Sequence, residues 1–502
     1  MTELAKYTSE SLGNLEAETG QATGFRQNGS IGVALSAERF EELKRAAAMG
    51  RAFGVEAHLL APNEVKASYP LLDDKDIVGG VWTPNDGQTD PVGTTMAYAK
   101  GAKQLGERVF EDTEVVNILV ENERAVGVRA KRGDDVIEIR AATVVLASGL
   151  WSHQIARKLG IRLALQAAEH FYVVTEAIKG LPILETTGIA TWFNGPESFT
   201  PDDRFLLGET AQIHDLFVAS GFNSIGIQSS GGAGKVLAQW IRDRAAPIDL
   251  PGMDVRRMEP FQGTRRYLAE RTTESLGLLY QMHWPFRQYA TGRGARRTAF
   301  HDRLLALGAC MGELNGWERA NWFDQSGSSP HYEYSFGRQN WFGNTAAECH
   351  AVQNAVALFD QSSMAKFLVQ GRDACALLNR LSTAEIDVTK GCTVYTQWLN
   401  SNGGIEADLT IIRLAATEFM VVTSVSSHQR DLAYLRHAIL ADAHCSVTDI
   451  TSGTPMLGLM GPNSRALMRE LTGADLSNEA FPFGTWQELE IGYAIVRANR
   501  WV

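Results

Sequence analysis

Cysteine is scarce in this sequence. Its 502 residues contain five, at Cys310, Cys349, Cys375, Cys392 and Cys445, far apart and never as CxxC. That pattern excludes a disulfide framework and a zinc knuckle, predicts no metal site and fits a reducing compartment. Long apolar runs are missing too, so no stretch is long enough to span a bilayer as a helix. The opening residues, MTELAKYTSESLGNLEAETG, are acidic and polar, unlike a signal peptide or an Arg-rich transit peptide, and a cytoplasmic location is expected. A positive charge balance is absent. The formal net charge of −11 argues against nucleic acid or an anionic membrane as partner. Lysine and arginine are scattered, apart from pairs such as Arg256-Arg257, Arg265-Arg266 and Arg296-Arg297, which are expected on solvated faces. One motif is also lacking. The strand–GxGxxG–helix unit that seats a dinucleotide pyrophosphate has no match before Asn117.

The composition is ordinary for a soluble globular protein, with 44% apolar and 21% charged residues. The length is too great for one core and suggests about three domains. The most informative stretch is 194–235, NGPESFTPDDRFLLGETAQIHDLFVASGFNSIGIQSSGGAGK. Its first part, NGPESFTPD (194–202), reads as a turn-rich run with two prolines. An apolar strand, 216–219, leads into the glycine-rich run GFNSIGIQSSGGAGK, read as a turn, and then an amphipathic helix over 236–241. A glycine turn lets a ligand approach the backbone. The helix N-terminus after it offers N–H groups and a partial positive charge, which suit a pyrophosphate or an electron-rich ring.

The rest of the chain reads in order as follows. A helix covers 10–19, a strand 30–35, a helix 38–50 and a short helix from Pro62 to a stop at Tyr69-Pro70. Asp90-Pro91 caps a helix over 92–105. A hairpin follows, with its turn near 122–124. The run 143–147 is continuous and apolar and reads as a buried parallel strand, ending at Ser148-Gly149 before a helix. An alternating strand, LALQAAEHFYVVTE, carries His170 and Tyr172 on one face. After a polar, proline-containing exit near residue 254, a helix runs to Trp284-Pro285. The tryptophans of GWERANWF are read as core packing. The run from AECHAV to LLNRL (347–381) reads as helix, and VYTQWLNSNGGIEADLTIIRL as a hairpin turning at Asn402-Gly403-Gly404.

These motifs resemble those of the FAD-dependent dimethylglycine and sarcosine dehydrogenases, whose flavin lobe is of the D-amino-acid-oxidase type. The second half resembles the aminomethyltransferase (glycine-cleavage T-protein) fold that those enzymes carry. The resemblance implies an α/β and α+β chain: an FAD-binding lobe over 1–253, a connecting segment over 254–331, and a folate-binding domain over 332–502. Relative to the family, the nucleotide-binding unit, a stretch lining the substrate cavity and the closing segment are lacking, so both domains are expected to be partial. The resemblance places Thr200, Pro201, Gly221, Phe222, Asn223, Ser224 and Gly226 beside the flavin ring. It adds Ala147, Gly149 and Trp151 from a "VVxAAGxWS"-like crossover, and Val115 from the hairpin near the adenine. It puts His170 at the substrate amine, where a neutral imidazole could take a proton or orient the carboxylate. It also puts Asp408 at the pterin of tetrahydrofolate, with Tyr395 and Thr410 as neighbours. The implied activity is FAD-dependent dehydrogenation of a CH–NH group in dimethylglycine or sarcosine, with the one-carbon unit passing to tetrahydrofolate and electrons passing to oxygen or an electron-transfer flavoprotein. The alternative is a non-catalytic folate-binding or regulatory relative, like the regulatory subunit of pyruvate dehydrogenase phosphatase.

Overall fold

A computed structural model describes residues 1–175, 189–327 and 329–501, and covers only the backbone of 170–175 and 189–193. The chain divides into two compact units. Met1–Val255 joins Gly263–Arg287 in the first, and Arg256–Gln262 joins Gln288–Val502 in the second.

In the first unit, helix Thr2–Thr19 buries Leu4, Thr8, Leu12 and Leu15 on one face. It packs against helix Gly226–Asp243. The glycine-rich run is therefore helical from Gly226 onward rather than a turn reaching Lys235. The reason is close approach between the helices. A Cβ on Gly232 would stand 2.4 Å from the Leu4 carbonyl oxygen, and the Gly232 amide donates to Thr8 Oγ1 at 3.0 Å. Glycine costs about 1 kcal/mol in a helix interior relative to alanine, and the helix–helix contact offsets that cost. Leu4 shares its core with Phe205, Leu207, Phe217, Val236, Leu237 and Trp240.

The run NGPESF is likewise extended rather than turn. Strand Ile189–Phe199 pairs antiparallel with Gln166–Thr175, in the register Gln166↔Phe199 and His170↔Gly195. Pro196 lies opposite Glu169 in this two-stranded sheet. Among the described residues neither strand has a second neighbour, so a missing N–H is tolerated. The apolar run forms strand Val144–Leu146, parallel to Leu216–Ser220, which in turn pairs with Leu206–Glu209. Asp90 caps helix Pro91–Gln104, accepting from the Gly93 amide at 2.7 Å. The hairpin Glu114–Glu121/Arg124–Arg132 gains a third strand, Asp135–Arg140.

The second unit is built on a five-stranded sheet in the order Thr393–Leu399, Ile405–Ala415, Glu418–Thr423, Ala365–Gln370, Ser446–Asp449. One face holds Phe367, Val369, Trp398, Leu409, Ile411, Phe419 and Val421 against Leu377, Leu378, Leu432 and Leu435. The run 347–381 is not one helix. It comprises helix Phe342–Asn354, strands Ala357–Asp360 and Ala365–Gln370, and helix Ala374–Leu381. Ala365, Phe367 and Val369 alternate into the core, a period of two that the surrounding alanines obscure. On the sheet's other face Ile412, Leu414, Met420 and Val422 are covered by Met456 and Trp486. Trp317 and Trp322 are buried. Arg296 departs from the solvated reading: its guanidinium lies 4.2 Å from the Trp317 ring centroid and 3.2 Å from Glu259 Oε1.

Candidate functional site

The first unit places a braced turn at the carboxyl ends of its two parallel strands. Such ends are where open α/β sheets bind ligands. Thr200 is fully buried. Its amide donates to Asn223 Oδ1 at 2.8 Å, and Asn223 Nδ2 donates to the Gly221 carbonyl at 2.8 Å and to Thr200 Oγ1 at 3.1 Å. Gly221, Asn223 and Ser224 have φ of 73°, 48° and 64°. A Cβ on Gly221 would meet Leu165 Cδ2 at 2.5 Å, so glycine is required there. The left-handed pair at 223–224 aims the chain into helix Gly226–Asp243, whose first-turn amides have no intrahelical acceptor. Phe222 faces inward, stacked on Phe205 with ring centroids 4.6 Å apart, and serves packing.

The parallel partner strand ends at Leu146, and Ala147 just after it is exposed, as is Trp151. Gly149 has φ 54° with open space where a Cβ would lie. Ser152 Oγ meets Ser220 Oγ at 2.6 Å, tying this crossover to the strand that enters the Gly221 turn. Thr200, Gly221 and Asn223 are thus joined by contacts, and the Ala147–Trp151 segment is fastened to the adjacent strand end. Val115 stands in another sheet, opposite Ala130. The His170 side chain lies outside the described residues.

Sequence reasoning missed the residues behind the turn. Ser275 Oγ donates to the Thr200 carbonyl at 3.0 Å. Asp203, at φ 56°, has a buried Oδ1 without a partner. Burial and the neighbouring Asp202 charge push its carboxyl up to about 7, against the pull of a Ser275 hydrogen bond. A carboxyl whose folded pKa is raised contributes stability that is complete below its unfolded pKa, and that stability is lost as pH rises through about 7. Asp203→Asn is therefore expected to stabilise the first unit by about 1–2 kcal/mol at pH 8 and by nothing measurable near pH 4. Denaturant unfolding at the two pH values checks this. The doublet Asp202-Asp203 after a proline was the available signal, since a like charge next to a partly buried acid disfavours its ionised form.

In the second unit, Asp408, Tyr395 and Thr410 come together on the sheet face that carries Ile412 and Leu414, beyond the part those residues cover. Tyr395 is opposite Thr410, and Gln397 is opposite Asp408. Tyr395 Oη donates to Asp408 Oδ2 at 2.8 Å, which raises the phenol's pKa. Both side chains are exposed, so the face offers a carboxylate, a phenol, an amide and a hydroxyl to a polar heterocycle.

Three stretches of the chain match known families. Residues 1–192 match the FAD dependent oxidoreductase family, 245–298 the FAD dependent oxidoreductase central domain, and 300–501 the GCVT N-terminal domain. The chain is 36% identical to 4-methylaminobutanoate oxidase (formaldehyde-forming) of Paenarthrobacter nicotinovorans, over 98% of the chain and 68% of that relative. It is 32% identical to the mitochondrial sarcosine dehydrogenase of Homo sapiens, over 97% of the chain and 64% of the relative. The mitochondrial dimethylglycine dehydrogenase of Rattus norvegicus is 27% identical, over 97% and 65%. The chain thus belongs to the family of FAD-dependent oxidoreductases that join a flavin domain to a GCVT domain, and it spans about two thirds of the length of these relatives. Among the described residues no helix is long and apolar enough to cross a membrane.

Proposed function

We propose that the chain oxidises the N-methyl group of a small N-methylated amino acid, such as sarcosine, dimethylglycine or 4-methylaminobutanoate, and delivers the one-carbon unit to tetrahydrofolate in the second unit. The observation that carries the reading is the turn braced by Asn223 at the ends of two parallel strands, which feeds a helix N-terminus. These residues fit a flavin ring. The glycine admits close approach, the first-turn amides favour the electron-rich edge of the ring, and Gly149 leaves open space beside the crossover. Bound flavin supplies the two-electron acceptor, and the protein's part is to position and tune it. His170 is proposed to hold or take the substrate proton, and Val115, Ala147 and Trp151 to line the cofactor. Asp408, with Tyr395 and Thr410, is proposed to hold the pterin and assist proton movement as the carbon is captured. An electron-transfer flavoprotein is the proposed reoxidant, as for a dehydrogenase, and comparison of turnover with that acceptor and with oxygen tests it.

The test is the visible spectrum of the purified chain, supplied with FAD, before and after anaerobic addition of each amine. A flavin band that bleaches is expected. A chain that takes up no flavin overturns the oxidase reading and leaves a folate-binding or regulatory role. Asp408→Ala should leave flavin reduction within about twofold while methylene-tetrahydrofolate formation falls about tenfold or more. Equal loss of both would show that the two units do not divide the chemistry.

A further inference from the structure

We infer that Gln397 recognises tetrahydrofolate by donating a hydrogen bond to its C4 carbonyl, while Asp408 beside it accepts from the neighbouring N5–H. The assignment rests on the folate role proposed above for the second unit. Gln397 stands directly opposite Asp408 in the register of strands Thr393–Leu399 and Ile405–Ala415, two residues beyond Tyr395. Residues directly opposite, and residues two apart on one strand, share a face, and an opposed pair has its Cβ atoms about 5 Å apart. The carboxamide, the carboxylate and the phenol therefore project from one patch. Asp408 and Tyr395 are exposed and Gln397 is half-buried, so a ligand can reach all three.

Thr383 sets the direction of the amide. Its Oγ1 donates to Gln397 Oε1 at 3.2 Å, and its backbone amide donates to the Gln397 carbonyl at 3.0 Å. With the side-chain oxygen engaged, Gln397 presents its NH2 group as a donor. The Asp408 hydrogen bond pushes the Tyr395 phenol up and the Gln397 hydrogen bond pulls it down, the effect of an N–H directed at the phenol oxygen. The amide hydrogens thus face the Tyr395–Asp408 pair. Tyr395 donates to Asp408 Oδ2, and a carboxylate has lone pairs to accept further donors. The patch therefore sets a donor beside an acceptor. A reduced pterin carries the complement, because its C4 carbonyl accepts and its N5–H donates from the same edge of the ring. An oxidised pterin has no hydrogen on N5, and a 4-amino pterin has a donor where the carbonyl stands.

Calorimetric binding to the full chain tests the assignment, with tetrahydrofolate and its 4-amino analogue, tetrahydroaminopterin, as ligands. The wild type should bind tetrahydrofolate about tenfold more tightly than the analogue, the effect of one lost hydrogen bond and two donors left facing each other. Gln397→Met keeps the length of the side chain and removes the donor. It should weaken tetrahydrofolate about tenfold and leave the analogue unchanged, so that the preference vanishes. Gln397→Glu puts an acceptor at the same point and should reverse the preference. A wild type that binds both ligands equally overturns the assignment. So does a Gln397→Met chain that weakens both by the same factor, the mark of a merely structural residue, or that weakens neither. A wild type that binds neither ligand sinks the folate reading itself, and this inference with it.

Discussion

Replacing His428 by alanine is expected to destabilise the second unit by about 3 kcal/mol at pH 6, the low end for breaking a buried ion pair. His428 is 3% exposed. Its Nδ1 lies 2.7 Å from Glu259 Oε1 and its Nε2 2.9 Å from Asp449 Oδ2, and the ring stacks on Phe367. Two carboxylates facing two ring nitrogens call for a donor at each, which only imidazolium supplies. Burial alone would lower the pKa, but the hydrogen bonds to Asp449 and Glu259 outweigh it and lift the ring to about 9. Asp449 is held well below the usual carboxylate range, because the His428 and Thr451 hydrogen bonds outweigh its own desolvation. The cost falls at the low end because both acids keep other partners. Gln429 and Arg296 hold Glu259, and Thr451 holds Asp449.

The pH dependence follows from these signs. The raised histidine contributes stability that is complete below its ordinary value of 6.5 and is lost as pH climbs through about 9. The depressed Asp449 contributes stability that is present above its ordinary value and is lost in acid. Lys366, fully buried, complicates the alkaline side. Burial lowers it to about 8, against the pull of Asp360 and Asp449, so its contribution runs the other way and increases with pH. The wild-type curve alone therefore mixes opposing trends, whereas the difference between wild type and His428→Ala isolates the histidine. That difference should shrink by about 2–3 kcal/mol between pH 6 and pH 10 in guanidinium unfolding. A difference independent of pH would mean that the ring is neutral and merely packed.

This cluster also marks where the sequence stops being legible. Glu259 sits in a polar, proline-containing stretch that reads as an exit from the first domain. In the fold, Arg256–Gln262 belongs to the second unit, and Glu259 meets His428 across 169 residues. No local periodicity encodes such a pairing. Patterns that depend on neighbours in sequence were readable. The apolar run at 143–147 announced a parallel strand, Asp90-Pro91 a helix cap, and Asn402-Gly403-Gly404 a hairpin. Gly221 and Asn223 were readable as a turn because few other residues accept positive φ. Glycines 231 and 232 were misread for the same reason, since close helix packing requires a missing Cβ just as a turn does. The Ser224–Glu197 and Ser275–Thr200 contacts were invisible, because each joins elements that only the fold brings together.

Asn223→Ala is expected to lower the flavin content of the purified chain about tenfold or more while leaving the second unit folded. The substitution removes the acceptor for the buried Thr200 amide and the donor to the Gly221 carbonyl. A buried donor left unsatisfied costs about 1–3 kcal/mol. An alanine held at the left-handed φ of 48° adds about 1–2 kcal/mol. Together these exceed what a short turn can absorb, so the chain between Gly221 and Gly226 should relax and the first-turn amides of the helix should lose their fixed direction toward the proposed ring position. Asn223→Gly separates the two costs, because glycine accepts the positive φ without strain but restores neither hydrogen bond. The ratio of flavin to protein absorbance reads the result, with circular dichroism confirming that the chain is folded. Flavin loss in both variants assigns the binding to the hydrogen-bonded brace. Recovery in Asn223→Gly assigns it to backbone conformation. Full flavin in Asn223→Ala would remove the braced turn from the cofactor site altogether.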